Sequence, residues 1–471
     1  MTIAEQKLSP MSNIPAPIGE HERTEYKASL WGRIRGRSTA VFGMTARKFS
    51  VSLVDQIVVS GTNFITTVLV GRKGGPEELA NYALGFTLVI IIFSVLETLI
   101  AMPYTIYANR LGGAARAGYR GAVLVQCGLL SALAALVLAG WGMVISIGVG
   151  TQGLALVLYV LSAAIPFYIL REFSRQSSFA HLNSITALRL DLCAGTLQIV
   201  CIAALAAGEL LSAITVYATI GVANAVVALT WLSRSRNDFV VQRSQIFPVI
   251  RRNLSFGGWI LAGRIVVLLN SDILVLWLMA FVLGNKATGI FAACMTVVHL
   301  SNPFVLGMGQ VLTPRVAQAW ADNGSWELHR VMRKATIFLG ITLSTFCVGA
   351  FFFGEEALKI FYGSQYDGNR YIITVLSITI LTSVLGMPAT SGLLALKRPD
   401  GILKTNVAAI LLTATVASAL VHPFGVLGVT CGLLCGQIGA SAGRWIVFTR
   451  IRVNGSRRQD QGRIHIPGGG P

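Results

Sequence analysis

Long apolar segments follow one another along almost the whole chain, and short polar or basic stretches separate them. Each apolar segment holds about 20 residues, which is the length that an α-helix needs to cross about 30 Å of hydrocarbon. The pattern therefore predicts about twelve membrane-spanning helices. The predicted spans are Val51–Val70, Tyr82–Tyr104, Gly121–Met143, Val149–Leu170, Leu190–Ala207, Leu211–Leu232, Trp259–Leu283, Thr288–Val311, Thr336–Phe353, Tyr371–Ala395, Ile402–Val421 and Gly425–Phe448.

The composition leads to the same class of protein. Hydrophobic residues make up 54% of the 471 positions and charged residues 12%, and the mean hydropathy is +0.67. A surface this apolar needs the lipid bilayer as its solvent, which excludes an ordinary soluble protein. No polar segment between the predicted spans is long enough to form a separate soluble domain. We therefore predict an all-α membrane protein.

The net charge of +18 suggests an anionic partner, and the distribution of the basic residues decides which one. Lys and Arg concentrate in alternate segments between the predicted spans, such as 33–48, 110–120, 234–252 and 450–458. This bias is typical of the cytoplasmic segments of membrane proteins. We expect a multi-pass protein of the inner (plasma) membrane with both termini in the cytoplasm. Its partner is then the lipid bilayer, and no nucleic acid is predicted.

A basic linker separates six predicted spans from six others, and the two halves resemble each other. When the sequence is shifted by about 209 residues, Gly75 meets Gly284 and Tyr82 meets Phe291. Each half begins on the same side of the membrane, so we expect two related six-helix bundles around a central cavity. The predicted domains are a basic cytoplasmic arm at 1–48, the first bundle at 49–232, the cytoplasmic linker at 233–254, the second bundle at 255–449 and a disordered cytoplasmic tail at 450–471.

Two segments carry a resemblance to a known family. The first, from Phe49 to Gly85, reads FSVSLVDQIVVSGTNFITTVLVGRKGGPEELANYALG, and the second, from Ile169 to Leu192, reads ILREFSRQSSFAHLNSITALRLDL. Both resemble the polysaccharide flippases (Wzx-type) of the multidrug/oligosaccharidyl-lipid/polysaccharide (MOP) exporter superfamily. The resemblance implies the MATE-like fold of about 12 helices in two pseudo-symmetric bundles. It also implies alternating access, coupled to H+ or Na+, that carries a polyprenyl-diphosphate-linked oligosaccharide.

The first predicted span has a stripe of polar side chains along one helical face. Ser52, Gln56, Ser60, Asn63 and Thr67 recur at intervals of three or four residues, with Asp55 at the edge of the stripe. We expect Gln56, Ser60 and Asn63 to bind sugar hydroxyls in the wall of the cavity. The alternative is that these groups hold neighbouring helices together through hydrogen bonds within the membrane.

Charged side chains inside predicted spans are the other candidates, because each costs at least about 2.5–3.5 kcal/mol at the centre of the bilayer. Arg264 and Asp272 share the seventh span. We expect Arg264 to bind the substrate diphosphate, since its planar guanidinium matches two phosphate oxygens. Asp55 or Asp272 is expected to hold Arg264 when the site is empty and to take up the coupling ion. The alternative is a static ion pair that fixes the register of two helices.

Further ionisable residues are candidates for ion coupling or gating. Glu97, in the second span, is a candidate proton or sodium site, and pairing with a basic residue on another helix is an equal alternative. Arg189 and Asp191 lie near the cytoplasmic mouth of the fifth span, where we expect gating residues. His299 in the eighth span reads better as a packed histidine than as a proton relay.

Missing motifs narrow the function further. The sequence has no GxxxxGK[ST] loop, so ATP binding of that type is excluded, and its seven cysteines show no metal-site spacing. We expect a transporter without a cofactor and not an enzyme, with a polysaccharide polymerase and glycosyltransferases as candidate partners. The alternatives are a multidrug or cation antiporter of the same superfamily, a membrane enzyme of polysaccharide assembly, and a flippase for peptidoglycan precursors.

Overall fold

The computed structural model describes residue 51 and residues 54–148 and 152–463, with side-chain surroundings for all of these except 152, 323 and 452–463. Ser52, the whole predicted N-terminal arm and the end of the predicted tail lie outside the described residues. The chain divides into two compact units, Met1–Gln56 and Ile57–Pro471. The helices discussed below belong to the second unit from Ile57 onward.

The described residues form helices joined by short turns, and no strand occurs among them. Helix α1 covers residues 54–69 and continues through a π-helical turn, Val70–Gly74. A second π-helical turn, Glu97–Ala101, follows helix α2. The remaining helices are α2 (Gly75–Leu96), α3 (Met102–Tyr107), α4 (Gly113–Ser146), α5 (Gln152–Ala180), α6 (Ser184–Ala207), α7 (Ala213–Ser235), α8 (Arg243–Leu269), α9 (Asp272–Val282), α10 (Gly284–Val298), α11 (Asn302–Tyr362), α12 (Arg370–Leu385), α13 (Met387–Ala395) and α14 (Pro399–Arg463).

Ten helical runs among the described residues are long and apolar enough to cross a membrane. The prediction of an all-α, multi-pass membrane protein is therefore confirmed. Two of the runs, Val54–Arg110 and Pro399–Ile451, each cover two predicted spans, and each contains a glycine of positive φ, Gly75 and Gly425. The number of crossings, predicted as about twelve, stays a prediction.

The internal repeat is visible in the turns between helices. Residues of positive φ end or separate helices in both halves, because a left-handed residue lets the chain leave a helix. Those of the first half have counterparts 209 to 216 positions later, and Gly75 and Gly284, aligned from the sequence, both have φ 81°. Gly368 is an additional left-handed residue. The five pairs are Gly75 and Gly284, Gly113 and Gly324, Gly148 and Gly363, Leu182 and Lys397, and Glu209 and Gly425.

The two halves contact each other through repeat-related helices. Helix α2 packs against α10, and the Asn285 side chain donates to the side-chain oxygen Oδ1 of Asn81 at 3.1 Å. The indole N–H of Trp277 donates to the Thr87 hydroxyl at 2.9 Å. Within the first half α5 packs on α4 and α7, and within the second α12 packs on α11 and α14. These contacts fix the ends of the helices that carry the candidate site residues.

Helix α8 differs from the predicted seventh span. It begins at Arg243, inside the segment predicted to be a linker, and ends at Leu269, in the middle of the predicted span Trp259–Leu283. The continuous span was therefore a wrong prediction, because the chain leaves the helix at Asn270 and Ser271. Ser271 then caps α9 by accepting a hydrogen bond from the backbone N–H of Ile273 at 3.4 Å.

Candidate functional site

An ion pair joins Arg264 of α8 to Glu97, the first residue of the π-helical turn after α2. Nη2 of Arg264 lies 3.7 Å from Oε2 of Glu97, and the two side chains are 45% and 42% exposed. The pair connects the second half of the chain to the first. Glu97 was expected as an isolated carboxylate or as a partner of a basic residue, and the structure shows the second arrangement.

The guanidinium of Arg264 keeps most of its hydrogen-bonding capacity. A separation of 3.7 Å is an ion pair but is too long for a strong hydrogen bond. Arg264 donates no side-chain hydrogen bond to another residue in the described part of the chain, although a guanidinium has five N–H donors. The donors of Arg264 are therefore available to an incoming anion.

Asp272, expected as one of two candidate partners of Arg264, lies elsewhere. It begins α9, and its carboxylate is 4.0 Å from Nε2 of His299, at the start of a short 3₁₀ turn after α10. Among the residues that the structure describes, Arg264 therefore pairs with Glu97 and not with Asp272. The two residues stand on different helices, α8 and α9, with the break at Asn270 and Ser271 between them. Both members of the Asp272–His299 pair are about one third exposed.

Helix α8 is attached to the first half before it reaches Arg264. The guanidinium of Arg252 lies over the rings of Tyr107 and Tyr119, 4.3 and 5.0 Å from their centroids. The buried Asn253 accepts a hydrogen bond from the Tyr119 hydroxyl at 3.2 Å and donates one to the Gln126 side chain at 2.9 Å. The sequence offered a basic linker here but no sign of which tyrosines it contacts.

One turn later the two backbones touch. Gly257 of α8 is buried, and a Cβ atom at this position would collide with the carbonyl oxygen of Thr98 and lie 3.0 Å from Cα of Leu99. Thr98 and Leu99 belong to the same π-helical turn as Glu97. Only glycine permits this approach, so the contact fixes α8 against the turn that carries Glu97.

The break after α8 is held by a network within the second half. The Asn270 side chain donates to the Asn406 side-chain oxygen at 3.3 Å, and the Gln437 side chain donates to the Asn270 carbonyl oxygen at 2.8 Å. Arg444 donates to the same Asn406 oxygen at 3.0 Å and to the Thr390 hydroxyl at 3.4 Å. Arg444 thus connects α13 to α14, and Asn406 connects this network to the end of α8.

Asp191, predicted as a gating residue at the cytoplasmic mouth, is buried in an ion cluster. Its carboxylate accepts hydrogen bonds from Arg171 and Arg175 of α5, the latter at 2.7 Å, and Glu172 lies between the two arginines in sequence. Arg189, two residues earlier on α6, is exposed. Arg171, Glu172 and Arg175 were missed as site residues, although they stand in the family-like segment and a four-residue spacing puts both arginines on one helical face.

The polar residues of α1 lie on two neighbouring faces of the helix. Thr62 and Thr66 are buried, and the Gln198 side chain of α6 donates to the Thr66 hydroxyl at 2.9 Å. Ser60 and Asn63 are half-buried. The packing face of α1 is therefore the threonine face, which leaves Ser60 and Asn63 on the face next to it.

Asp55 and Gln56 belong to the compact unit Met1–Gln56. Asp55 is 1% exposed, and Gln56 is exposed. Their predicted roles in coupling and in sugar binding stay predictions.

Two side chains of the 3₁₀ turn Ser364–Tyr366, which follows α11, donate hydrogen bonds to the π-helical turn Val70–Gly74. The buried Tyr366 hydroxyl donates to the Gly71 carbonyl at 3.1 Å, and the Gln365 side chain donates to the same carbonyl at 3.0 Å. Burial raises the pKa of Tyr366 above its ordinary value, so the hydroxyl stays a neutral donor.

No group of three or more His, Cys, Asp or Glu side chains able to hold a metal ion occurs in the ranges that the structure describes.

Sequence comparison finds a family match that covers the middle of the chain. Residues 124–370 match the model of a family described as polysaccharide biosynthesis protein. A relative from Staphylococcus aureus, the capsular polysaccharide biosynthesis protein CapF, is 22% identical over 169 residues. That alignment covers 36% of this chain and 42% of the relative, so it spans less than half of the relative's length.

Solved structures share the fold over most of the chain. An inward-facing multidrug resistance MATE transporter of the MOP superfamily superposes with a TM-score of 0.70 at 15% identity, covering 86% of this chain and 96% of the transporter. The lipid II flippase MurJ in an inward closed conformation gives a TM-score of 0.65 at 13% identity, covering 85% and 87%. At these identities the comparison establishes the fold, and the predicted MATE-like transporter fold is confirmed.

Proposed function

Because the chain belongs to the polysaccharide biosynthesis protein family, we propose that it is a flippase for a lipid-linked sugar. Its substrate is a polyprenyl-diphosphate-linked oligosaccharide, which it moves from the cytoplasmic to the outer leaflet of the inner membrane for surface polysaccharide synthesis. The family and the MOP-type fold, both expected from the sequence, support the proposal. Glycosyltransferases that supply the substrate and a polymerase that consumes the product are then its functional partners.

The observation that carries the proposal is Arg264. It is a half-exposed cation on an apolar helix with unused donors, and its ion pair is weak enough to exchange. A diphosphate offers several anionic oxygens to a planar guanidinium and binds it more strongly than one distant carboxylate does. Ser60 and Asn63 are half-buried on α1 and are suited to the sugar hydroxyls.

Transport is proposed to follow alternating access with both termini in the cytoplasm. Glu97 and Asp272 are the carboxylates available for coupling to H+ or Na+ from the second unit of the chain, and Asp272 has His299 beside it. A carboxylate that loses its basic partner is free to bind a coupling ion in its place. Release of Glu97 by the substrate therefore links the two events.

The test is transport of a fluorescent polyprenyl-diphosphate-linked sugar in proteoliposomes. We expect Arg264→Ala to lower the rate about ten- to hundredfold, because a hydrogen-bonded charge contributes about 1.5–3 kcal/mol. Arg264→Lys is expected to recover only part of the rate, since lysine lacks the guanidinium fork. Arg330→Ala removes an exposed arginine that pairs with Glu327, and it serves as the control. Undiminished transport by Arg264→Ala would refute the proposed site.

A second candidate function is export of cationic drugs. The half-exposed carboxylates Glu97 and Asp272 favour it, since they would attract a cation. The same proteoliposomes distinguish the two functions. A flippase accelerates leaflet exchange of the lipid-linked sugar and does not move organic cations, whereas an antiporter shows the opposite result.

A further inference from the structure

Helix α8 is fixed at two points and lacks close packing between them. Before residue 258 it is fixed to the first half by Asn253 and by the backbone contact of Gly257. After residue 269 it is fixed to the second half through Asn270. None of the described residues from 258 to 269 is buried. We call this stretch, residues 258–269, the α8 bridge.

The α8 bridge is apolar on several sides and carries one charged residue. Trp259 is 83% exposed, and the exposed side chains also include Ile260, Ile265 and Val267. The charged residue is Arg264, whose partner Glu97 sits on the first half. The Arg264–Glu97 ion pair therefore connects the α8 bridge to the first half along a stretch where none of the bridge residues is buried.

A lipid-linked substrate imposes a special requirement on its entry route. Its polyprenyl tail stays in hydrocarbon while its diphosphate and sugars enter the protein, so the route must open sideways to the bilayer. An apolar, loosely packed helix with one guanidinium meets this requirement. The apolar side chains suit the tail, and the guanidinium suits the diphosphate.

Resting on the proposed function, we propose that the α8 bridge is a lateral gate and that Arg264–Glu97 is its latch. The diphosphate of the lipid carrier displaces the Glu97 carboxylate from Arg264, and the bridge then moves away from the first half. Gly257 and Asn270 stay in place as the ends of the moving segment. The ligand reaches Arg264 from the bilayer and not from water.

Three glycines offer matched positions for measuring this movement. Gly263 in the middle of the α8 bridge, Gly258 at its fixed end next to Gly257, and Gly128 on α4 all have open space where a side chain would start. Spin labels on cysteines at 128 and 263, in a protein whose seven native cysteines are replaced, report the position of the bridge. Labels at 128 and 258 form the control pair on the same two helices.

Polyprenyl diphosphate added to vesicles is expected to shift the 128–263 distance by several ångströms and to leave the 128–258 distance unchanged. Inorganic pyrophosphate at the same concentration is expected to cause no shift. Unchanged distances in both pairs, or equal shifts in both, would overturn the gate. An equal shift with pyrophosphate would overturn entry from the bilayer.

A second measurement addresses the latch. Glu97→Gln removes the competitor for Arg264, so polyprenyl diphosphate is expected to bind at least about threefold more tightly, which corresponds to a weak ion pair. Glu355→Gln, which removes a carboxylate paired with Arg370 at 3.2 Å, is expected to leave binding unchanged. Unchanged or weaker binding by Glu97→Gln contradicts the latch.

The two proposals fail in different ways. If the protein flips the lipid-linked sugar while the bridge labels stay still, the gate is wrong and the flippase stands. If the unlabelled protein moves no lipid-linked sugar, the proposed function is wrong whatever the labels show.

Discussion

Asp191 of the first half and Asn406 of the second occupy equivalent places in the repeat. They lie 215 residues apart, as do the left-handed residues Leu182 and Lys397 of the preceding turns. Asp191 is the centre of a buried ion cluster with Arg171 and Arg175. Asn406 is instead a neutral amide that accepts hydrogen bonds from Asn270, which follows α8, and from Arg444, which lies further along α14.

The difference lies in which helices each centre joins. The cluster around Asp191 connects α5 to α6 and balances two arginines with two carboxylates. The network around Asn406 connects α14 to the break after α8, and Arg444 in it has no carboxylate within ion-pair distance among the described residues. A buried ion pair resists separation far more than a neutral hydrogen bond does. One repeat unit has therefore become a rigid joint in the first half and an adaptable one in the second.

The largest effect is expected from Asp191→Leu. It leaves Arg171 and Arg175 without their shared carboxylate, so we expect unfolding to become easier by about 3–5 kcal/mol. Thermal unfolding in detergent measures this loss. Arg189→Leu, at an exposed position on the same helix, is the control, and equal shifts for the two variants would contradict a rigid joint.

The matched substitution in the second half, Asn406→Leu, is expected to cost less. It removes an acceptor that serves Asn270 and Arg444, and we expect a loss of about 1.5–3 kcal/mol. The same thermal unfolding assay compares it with Asp191→Leu. A cost equal to or larger than that of Asp191→Leu would remove the distinction between the two joints. Thr415→Val, on the same helix at an exposed site, is the control.

The smallest effect is expected at the left-handed residue that each half has in the equivalent turn. Leu182 and Lys397 have φ 57° and 56°, which strains any residue with a Cβ atom. We expect Leu182→Gly and Lys397→Gly each to stabilise the protein by about 0.5–1 kcal/mol, after the entropy that glycine loses on folding. Ala408→Gly, at an exposed site inside α14, is expected to destabilise the protein. A drop in melting temperature for both loop variants would contradict equivalent turns.

Hydropathy was sufficient for the fold class and for the alignment of Gly75 with Gly284. It could not show the break at Asn270 and Ser271, because these two residues sit between strongly apolar stretches and their partners lie on α14. Arg264 and Glu97 were both recognisable as costly charges within spans. Their pairing was not, since it depends on how α8 meets the π-helical turn more than 150 positions earlier in the chain.

The clusters that sequence reasoning missed have a common cause. Arg171 and Arg175 are four residues apart at a helix end that the sequence predicts to be cytoplasmic, where basic residues are ordinary. Arg252 belongs to a linker rich in arginines, and nothing in the sequence separates it from its neighbours. Burial and aromatic contacts distinguish these residues, and both are properties of the packed structure.

The π-helical turn Glu97–Ala101 determines which of its residues face α8. Each residue of a helix turns the chain by about 100°, so removing one residue within the turn would rotate Glu97 away from Arg264 or carry Leu99 away from Gly257. Hydropathy, length and charge would hardly change. A one-residue deletion there would thus leave a protein that still inserts into the bilayer but has lost contacts between α8 and the first half.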